Sequence, residues 1–273
     1  MSAKESINRV LERATGYKLV DASKLERPRP GKPGKRRKPA KPKKNRLPGD
    51  YDKESKEIIR AVRGWTMTGN DKLFALIQAV RYIVRHEIPG DIVECGVWRG
   101  GSMQAAARAL IATGDTTRDL YLFDTYEGMP PPSDKDVRHD GRSADELLAA
   151  ATSRENSMVW AMASLDDVRH GMSKVPYPAE RVHFVEGKVE DTIPGAAPER
   201  ISILRLDTDW YESTRHELEH LYSRLSPGGV LILDDYGYWE GARQAVDEFL
   251  AETGERLLLT RMASGRIAVK PWV

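Results

Sequence analysis

Residues 91–102 read DIVECGVWRGGS, a short apolar run that ends in glycines and precedes an alanine-rich helical stretch. Glycine at a strand-to-helix turn lets the backbone approach a ligand closely, and the N-terminus of a helix favours negative charge. The dinucleotide fingerprint G-x-G-x-x-G is not met, because the sequence from Gly96 is GVWRGG. On this stretch alone, a tight turn without a ligand remains an open alternative.

Short apolar runs alternate with helical stretches on both sides of this turn. The predicted helices cover 53–63 and 73–84, and the predicted strands cover 91–94, 120–124, 182–186, 201–206 and 230–233, with 256–261 and 266–270 as a closing hairpin. Such alternation predicts an α/β fold, a mostly parallel sheet with helices on both faces. Residues 129–178 interrupt the alternation with polar, helix-prone sequence, and a long insertion at this place predicts a lid.

The N-terminal part of the chain differs in composition from the rest. Residues 1–26 contain the apolar spacing of a short amphipathic helix, and 27–49 is rich in Pro and Lys. Eleven Lys or Arg and no acid lie between Arg27 and Arg46, so 32 bases face 41 acids in the remainder. Prolines and like charges predict a disordered basic linker over 27–49. A globular domain is predicted over 50–273.

Composition also limits the class of protein. A single cysteine, Cys95, excludes an internal disulfide framework and a Cys-rich zinc site, which suits a reducing cytoplasm. No stretch reaches the roughly 18 apolar residues of a membrane span. The N-terminus also lacks the continuous apolar region of a secretion signal. We therefore expect a cytoplasmic protein.

A carboxylate follows the second predicted strand, which ends at Phe123-Asp124. A carboxylate at that position can accept hydrogen bonds from both ribose hydroxyls of an adenosyl cofactor. The alternative is that Asp124 caps a loop. Together with Glu94, two residues before the first glycine, Asp124 favours the cofactor interpretation.

Paired acids follow two later strands. The strand 201–206 runs into Asp207-Thr208-Asp209, and 230–233 runs into Asp234-Asp235. Carboxylates crowded at one sheet edge are costly unless a cation or protons neutralise them, and hard oxygen ligands favour Mg²⁺ over zinc. The alternative is that these acids cap helices, which for Asp209 could be the whole role.

Residues 216–220 read HELEH and match the H-E-x-x-H zinc signature. Both histidines lie opposite Leu218 on the predicted helix, so we expect them to point to solvent and not to bind zinc. Cys95 is expected to be a small strand residue, because no basic partner adjoins it. His139 and His170 fall in the predicted lid and are expected to be solvated.

Taken together, these motifs resemble the macrocin and mycinamicin O-methyltransferases. The matching stretches are 66–68 (TMT), 93–102, 120–130 (LYLFDTYEGMP), 204–214 (LRLDTDWYEST) and 226–236 (SPGGVLILDDY). The resemblance implies a class I methyltransferase fold, Rossmann-like with seven strands, S-adenosyl-L-methionine and Mg²⁺ as cofactors, and a metal held by Asp207, Asp234 and Asp235, with Asp207 also the general base. The implied cofactor-binding residues are Thr66, Met67, Glu94, Gly96, Ser102, Asp124, Glu127 and Gly128.

The expected reaction is methylation of a hydroxyl on a sugar, a glycosylated natural product or a polysaccharide. A sugar hydroxyl is a poor nucleophile, and a metal that lowers its pKa would let an aspartate take the proton. The alternatives are a metal-dependent phenol or catechol methyltransferase and a nucleic-acid-binding protein or RNA methyltransferase that uses the basic tail. Nucleic acid is not expected, because the body of the chain is acidic. For the oligomeric state, a homodimer is one expectation.

Overall fold

The computed structural model describes residues 47–153 and 159–272. The predicted amphipathic helix and nearly all of the predicted linker lie outside these residues. The chain divides into two units at Arg46 and Leu47, and the following description concerns the second unit.

This unit alternates helices and strands. In chain order they are α1 (Lys53–Val62), α2 (Asn70–Arg85), β1 (Asp91–Cys95), α3 (Gly101–Thr113), β2 (Leu120–Asp124), α4 (Ala144–Ala149), α5 (Leu165–Met172), β3 (Val182–Glu186), α6 (Val189–Thr192), β4 (Ile201–Leu206), α7 (Tyr211–Leu221), β5 (Leu225–Leu233), α8 (Glu240–Thr253), β6 (Thr260–Met262) and β7 (Gly265–Val269). Short 3₁₀ turns at Ala179–Arg181 and Tyr222–Arg224 precede β3 and β5.

The strands form one seven-stranded sheet in the order β3-β2-β1-β4-β5-β7-β6. Pairing is parallel except for β7, which runs antiparallel to β5 and β6. Cys95 at the end of β1 is level with Phe123 of β2 and Leu206 of β4, and Leu206 is level with Leu233 of β5. The predicted fold is confirmed, and the residues that follow these four strands meet at one edge.

Two predicted strand boundaries were wrong. Strand β5 begins at Leu225 instead of Val230, because Gly228 and Gly229 exchange backbone hydrogen bonds with Lys270 instead of forming a turn. Strand β6 is shorter than predicted: only Thr260–Met262 pairs with β7, and Leu258 is 85% exposed.

Apolar side chains cover both faces of the sheet. On one face, Ile92 and Ile203 pack against α1, α2, α3 and α5. On the other face, Val93 and Leu204 pack against α7 and α8. No helix in the described ranges is long and apolar enough to cross a membrane.

The predicted lid, 129–178, of which 154–158 lie outside the described residues, contacts the rest of the domain at several places. Asp136 is buried, and its Oδ1 accepts a hydrogen bond from the N–H of Tyr211 at the start of α7 (2.7 Å). Val168 and Met172 of α5 belong to the core. Closure over a bound acceptor stays a prediction.

Candidate functional site

A cavity of about 450 Å³ opens at the carboxyl edge of the sheet. Loops that follow β1, β2, β3, β4 and β5 contribute to its wall. Seven predicted site residues line it: Met67, Gly96, Asp124, Gly128, Asp207, Asp234 and Asp235. The wall does not include the other four, Thr66, Glu94, Ser102 and Glu127.

The glycine turn is built by close contacts between neighbouring strand ends. Gly96 has φ of +82°, and a Cβ atom there would lie 2.1 Å from the carbonyl oxygen of Asp207. A side chain at Gly101 would collide with the backbone of Trp65, whose carbonyl accepts the Gly101 N–H at 3.0 Å. These glycines are therefore required for packing the turn against β4 and the 65–66 loop.

Asp124 is occupied by backbone donors. Its Oδ2 accepts hydrogen bonds from the N–H groups of Val97 (2.6 Å) and Trp98 (3.0 Å), and its Oδ1 accepts from Tyr126 (2.8 Å). These contacts fit the loop-cap alternative, and its place in the cavity wall fits the cofactor prediction. The two roles are compatible for one further hydrogen bond, because the three backbone donors leave about one of the four acceptor sites of a carboxylate, with the hydroxyl of Thr125 3.5 Å from Oδ1.

The 66–68 loop forms another part of the cavity wall. Met67 is 38% exposed and faces the cavity, whereas the Oγ1 of Thr66 accepts the N–H of Thr68 at 3.0 Å. Ser102 is buried and its hydroxyl lies 3.3 Å from that of Thr68. Thr66 and Ser102 therefore support this loop. Glu127 is exposed.

The predicted metal ligands converge. One carboxylate oxygen from each of Asp207, Asp234 and Asp235 lies within 4.8 Å of the other two. Parallel neighbouring strands β4 and β5 end at the same level, which places both acid pairs together. This is the sole such group of ligand atoms within the part of the chain that the structure describes.

Arg205, a residue that the sequence analysis missed, lies beneath these carboxylates. It is buried within β4 and forms ion pairs with Glu94, with Asp207 (2.7 Å) and with Asp234 (2.6 Å). Glu94 is therefore a partner of Arg205. Burial raises the pKa of Glu94 to about 7, with Arg205 opposing the shift. The available signal was an arginine inside a mostly apolar strand.

Lys72, a second residue missed from sequence, comes from the first turn of α2. Its Nζ donates to the carbonyl of Asp234 at 2.9 Å and pairs with Oδ2 of the same residue. Burial opposes a charged ammonium, but the charges of Asp234, Asp235 and Asp207 raise the pKa of Lys72. Two cations thus partly neutralise the cluster from below.

The pKa values of the three carboxyl groups are shifted in different directions. Burial raises the pKa of Asp207 and of Asp235 well above the usual range, and repulsion from neighbouring carboxylates adds to it. Burial acts the same way on Asp234, but Arg205 and Lys72 hold its pKa below the usual value. Asp234 is therefore the most strongly ionised member.

Asp209 does not cap a helix. The residue that caps α7 is Trp210, which makes no side-chain cap, while Asp209 lines the cavity with φ of +68°. The indole of Trp239 donates to its Oδ1 at 2.9 Å. Burial, followed by the charge of Asp207, raises the pKa of Asp209 to about 7. A strained non-glycine backbone of this kind is typical of functional sites.

Part of the cavity wall is apolar. Residues from the predicted lid and from the β5–α8 loop form it: Met129, Pro130, Leu147, Val159, Tyr238 and Trp239. Trp239 is buried and packs edge-on against Trp210 at 4.9 Å between ring centroids. This wall lies on the same cavity as Asp207 and can receive the apolar part of an acceptor.

The expectation that the two histidines of HELEH point to solvent was wrong. His216 and His220 are half-buried and stack at 4.2 Å between ring centroids, and the imidazole of His216 lies 3.1 Å from the carbonyl of Ile193. The segment after α6 packs over that side of α7. Glu217 is fully buried, and its Oε1 accepts from the hydroxyl of Thr208 (2.9 Å).

The remaining single residues agree with their predictions. Cys95 is buried in β1, and burial raises the pKa of its thiol well above the usual value, which disfavours a nucleophile. His139 and His170 are both exposed, and neither lines the cavity.

Comparison with known proteins identifies the family. The model of the family described as Macrocin-O-methyltransferase (TylF) matches residues 34–262. The chain belongs to this family. It is an S-adenosylmethionine-dependent O-methyltransferase.

Curated relatives and a solved structure support this assignment. The chain is 38% identical over 189 residues (69% of each chain) to the 8-demethyl-8-(2,3-dimethoxy-alpha-L-rhamnosyl)-tetracenomycin-C 4'-O-methyltransferase of Streptomyces olivaceus. It is 36% identical over 184 residues (67% of this chain, 69% of the relative) to the mycinamicin III 3''-O-methyltransferase of Micromonospora griseorubida. The structure of the O-methyltransferase NovP is similar, with a TM-score of 0.65 and 32% identity over 76% of this chain and 83% of NovP.

Proposed function

We propose that this methyltransferase transfers the methyl group to a sugar hydroxyl of a glycosylated natural product or polysaccharide, assisted by Mg²⁺ at Asp207, Asp234 and Asp235. The convergence of these three acids beside the cavity carries the metal part of the proposal. The acceptor part is supported by the relatives, one of which is named for a rhamnosyl-bearing tetracenomycin and another for mycinamicin III.

The residues fit a hard divalent cation. All three groups offer carboxylate oxygens, the ligands that Mg²⁺ prefers, and no sulfur or imidazole belongs to the group. Asp235 contributes a buried Oδ2 that has no hydrogen-bond partner among the described residues. A buried carboxylate oxygen without a partner is costly, and a cation would satisfy it.

A group of the site must accept the proton of the acceptor hydroxyl. The family resemblance gives this role to Asp207, but Oδ2 of Asp207 is already paired with Arg205, and Asp207 is also a proposed ion ligand. Asp209 also lines the cavity, pairs with no cation among the described residues and is not one of the three proposed ion ligands. A carboxylate that binds neither the ion nor a cationic side chain is free to accept the proton. We therefore propose that Asp209 accepts the proton and that Asp207 binds the ion. When bound, the ion would supply Lewis-acid lowering of the hydroxyl pKa.

The cofactor is proposed to bind against Gly96, Asp124, Gly128 and Met67. All four residues line the cavity. Asp124 would accept one ribose hydroxyl at its remaining acceptor site while holding the turn. The remaining task of the protein is to align the acceptor oxygen with the sulfonium methyl. Placement by the apolar wall would serve that alignment.

The test is a methyl-transfer assay with isotopically labelled S-adenosylmethionine and a panel of acceptors. Rhamnosylated and other glycosylated polyketides should be labelled, whereas catechols and RNA should not. Activity should fall with EDTA and return with Mg²⁺. Labelling of catechol without labelling of sugars would favour the phenol alternative, and labelling of RNA would favour the nucleic-acid alternative. Full activity in EDTA would exclude a role for the metal ion in the reaction.

A further inference from the structure

Asp234, one of the three proposed ion ligands, has no free oxygen. Its Oδ1 is paired with Arg205 (2.6 Å) and its Oδ2 with Lys72. Asp207 has one oxygen paired with Arg205, and Asp235 has an oxygen without a partner. An ion that uses Asp234 must therefore replace one of its two cationic partners or share an oxygen with it.

Lys72 is the partner that can be replaced. Arg205 lies within β4 and forms ion pairs with three carboxylates. Lys72 instead reaches the cluster from α2, and of its carboxylates it contacts Asp234 alone, through Oδ2 and the carbonyl oxygen. Lys72 also lines the cavity from which an ion would enter. A lysine stem has four flexible carbons, so its ammonium can withdraw more easily than a planar guanidinium fixed by several hydrogen bonds.

We propose that Lys72 is a tethered counter-cation of the metal site, which occupies Oδ2 of Asp234 when no divalent ion is bound and competes with the ion for it. This inference rests on the proposed function, because it requires an ion at Asp234. Its consequence is that Lys72 weakens ion affinity and keeps the carboxylates together without the ion. Repulsion between the ammonium and a divalent cation acts in the same direction.

The test measures Mn²⁺ binding to the full-length protein by electron paramagnetic resonance, without cofactor or acceptor. Lys72→Met removes the ammonium at similar volume, and Lys72→Gln keeps a donor for the Asp234 carbonyl if the first variant folds poorly. Lys270→Met is the matched control, because Lys270 is a half-buried lysine that donates to carbonyls of Tyr222 and Leu225. It changes net charge equally without touching the carboxylates.

Both Lys72 variants should bind Mn²⁺ about 10–100-fold more tightly than wild type, the range in which groups next to metal ligands alter affinity. Lys270→Met should bind as wild type does. Mg²⁺ should raise the unfolding temperature more in Lys72→Met than in wild type. Unchanged or weaker Mn²⁺ binding in both Lys72 variants, with binding intact in wild type, would overturn the inference alone. Absence of binding in every protein would overturn the metal site itself.

Discussion

Acids follow strand β2 and strands β4 and β5 at the same edge of the sheet, yet the negative charges of these acids are balanced by different kinds of group. After β2, Asp124 is held by backbone N–H groups of the glycine turn. After β4 and β5, Asp207 and Asp234 are held by the side chains of Arg205 and Lys72. Backbone donors are fixed parts of the fold, whereas a lysine can exchange for another cation. The first arrangement suits a constant ligand geometry, and the second suits an ion.

The largest effect expected from this comparison concerns Asp209, which lines the cavity beside Asp207 and pairs with no cation among the described residues. Asp209→Asn should lower kcat by ~10²–10⁴, because an amide cannot accept the proton. Binding of S-adenosylhomocysteine, measured by calorimetry, should remain at the wild-type level. Asp207→Asn should instead require far more Mg²⁺ for its half-maximal rate. If Asp207→Asn stays inactive at saturating Mg²⁺ while Asp209→Asn remains active, Asp207 is the base.

The next effect concerns the buried cation. Arg205→Met leaves Glu94, Asp207 and Asp234 without this partner, and should lower the free energy of unfolding by ~3–5 kcal/mol. Urea denaturation in EDTA measures it. Arg215→Met is the control, because Arg215 pairs with the more exposed Glu219 and Glu252 and should lose under ~1 kcal/mol. Equal losses would show that the carboxylates do not depend on Arg205.

The smallest of the three effects concerns Asp124, whose charge is balanced by backbone N–H groups. Asp124→Ala should weaken S-adenosylhomocysteine binding about 10–100-fold, since hydrogen bonds to a charged group contribute ~1.5–3 kcal/mol. Calorimetry measures the affinity. Asp115→Ala is the control: Asp115 likewise accepts a backbone N–H, from Thr117, but it follows the C-terminal end of α3 and does not line the cavity. Equal affinity in both variants would exclude Asp124 from the cofactor site.

The sequence by itself determined the sheet and the position of its acids. Apolar runs mark strands through local alternation, and parallel strands bring their carboxyl ends to one edge, so Asp124, Asp207 and Asp234 could be placed at that edge before any contact was known. It did not determine the β5 boundary, because the glycines at 228–229 are typical of a turn and pair with Lys270 instead.

Tertiary structure alone decided how the acids are balanced. Lys72 and Asp234 are 162 residues apart, and Glu94 and Arg205 are 111 apart, so no local pattern links them. The conformation of Asp209 and the half-buried state of His216 likewise depend on segments packed from elsewhere, Trp239 and Ile193. The physical reason is that burial removes charges from water. A buried charge must then find its partner wherever the fold places one.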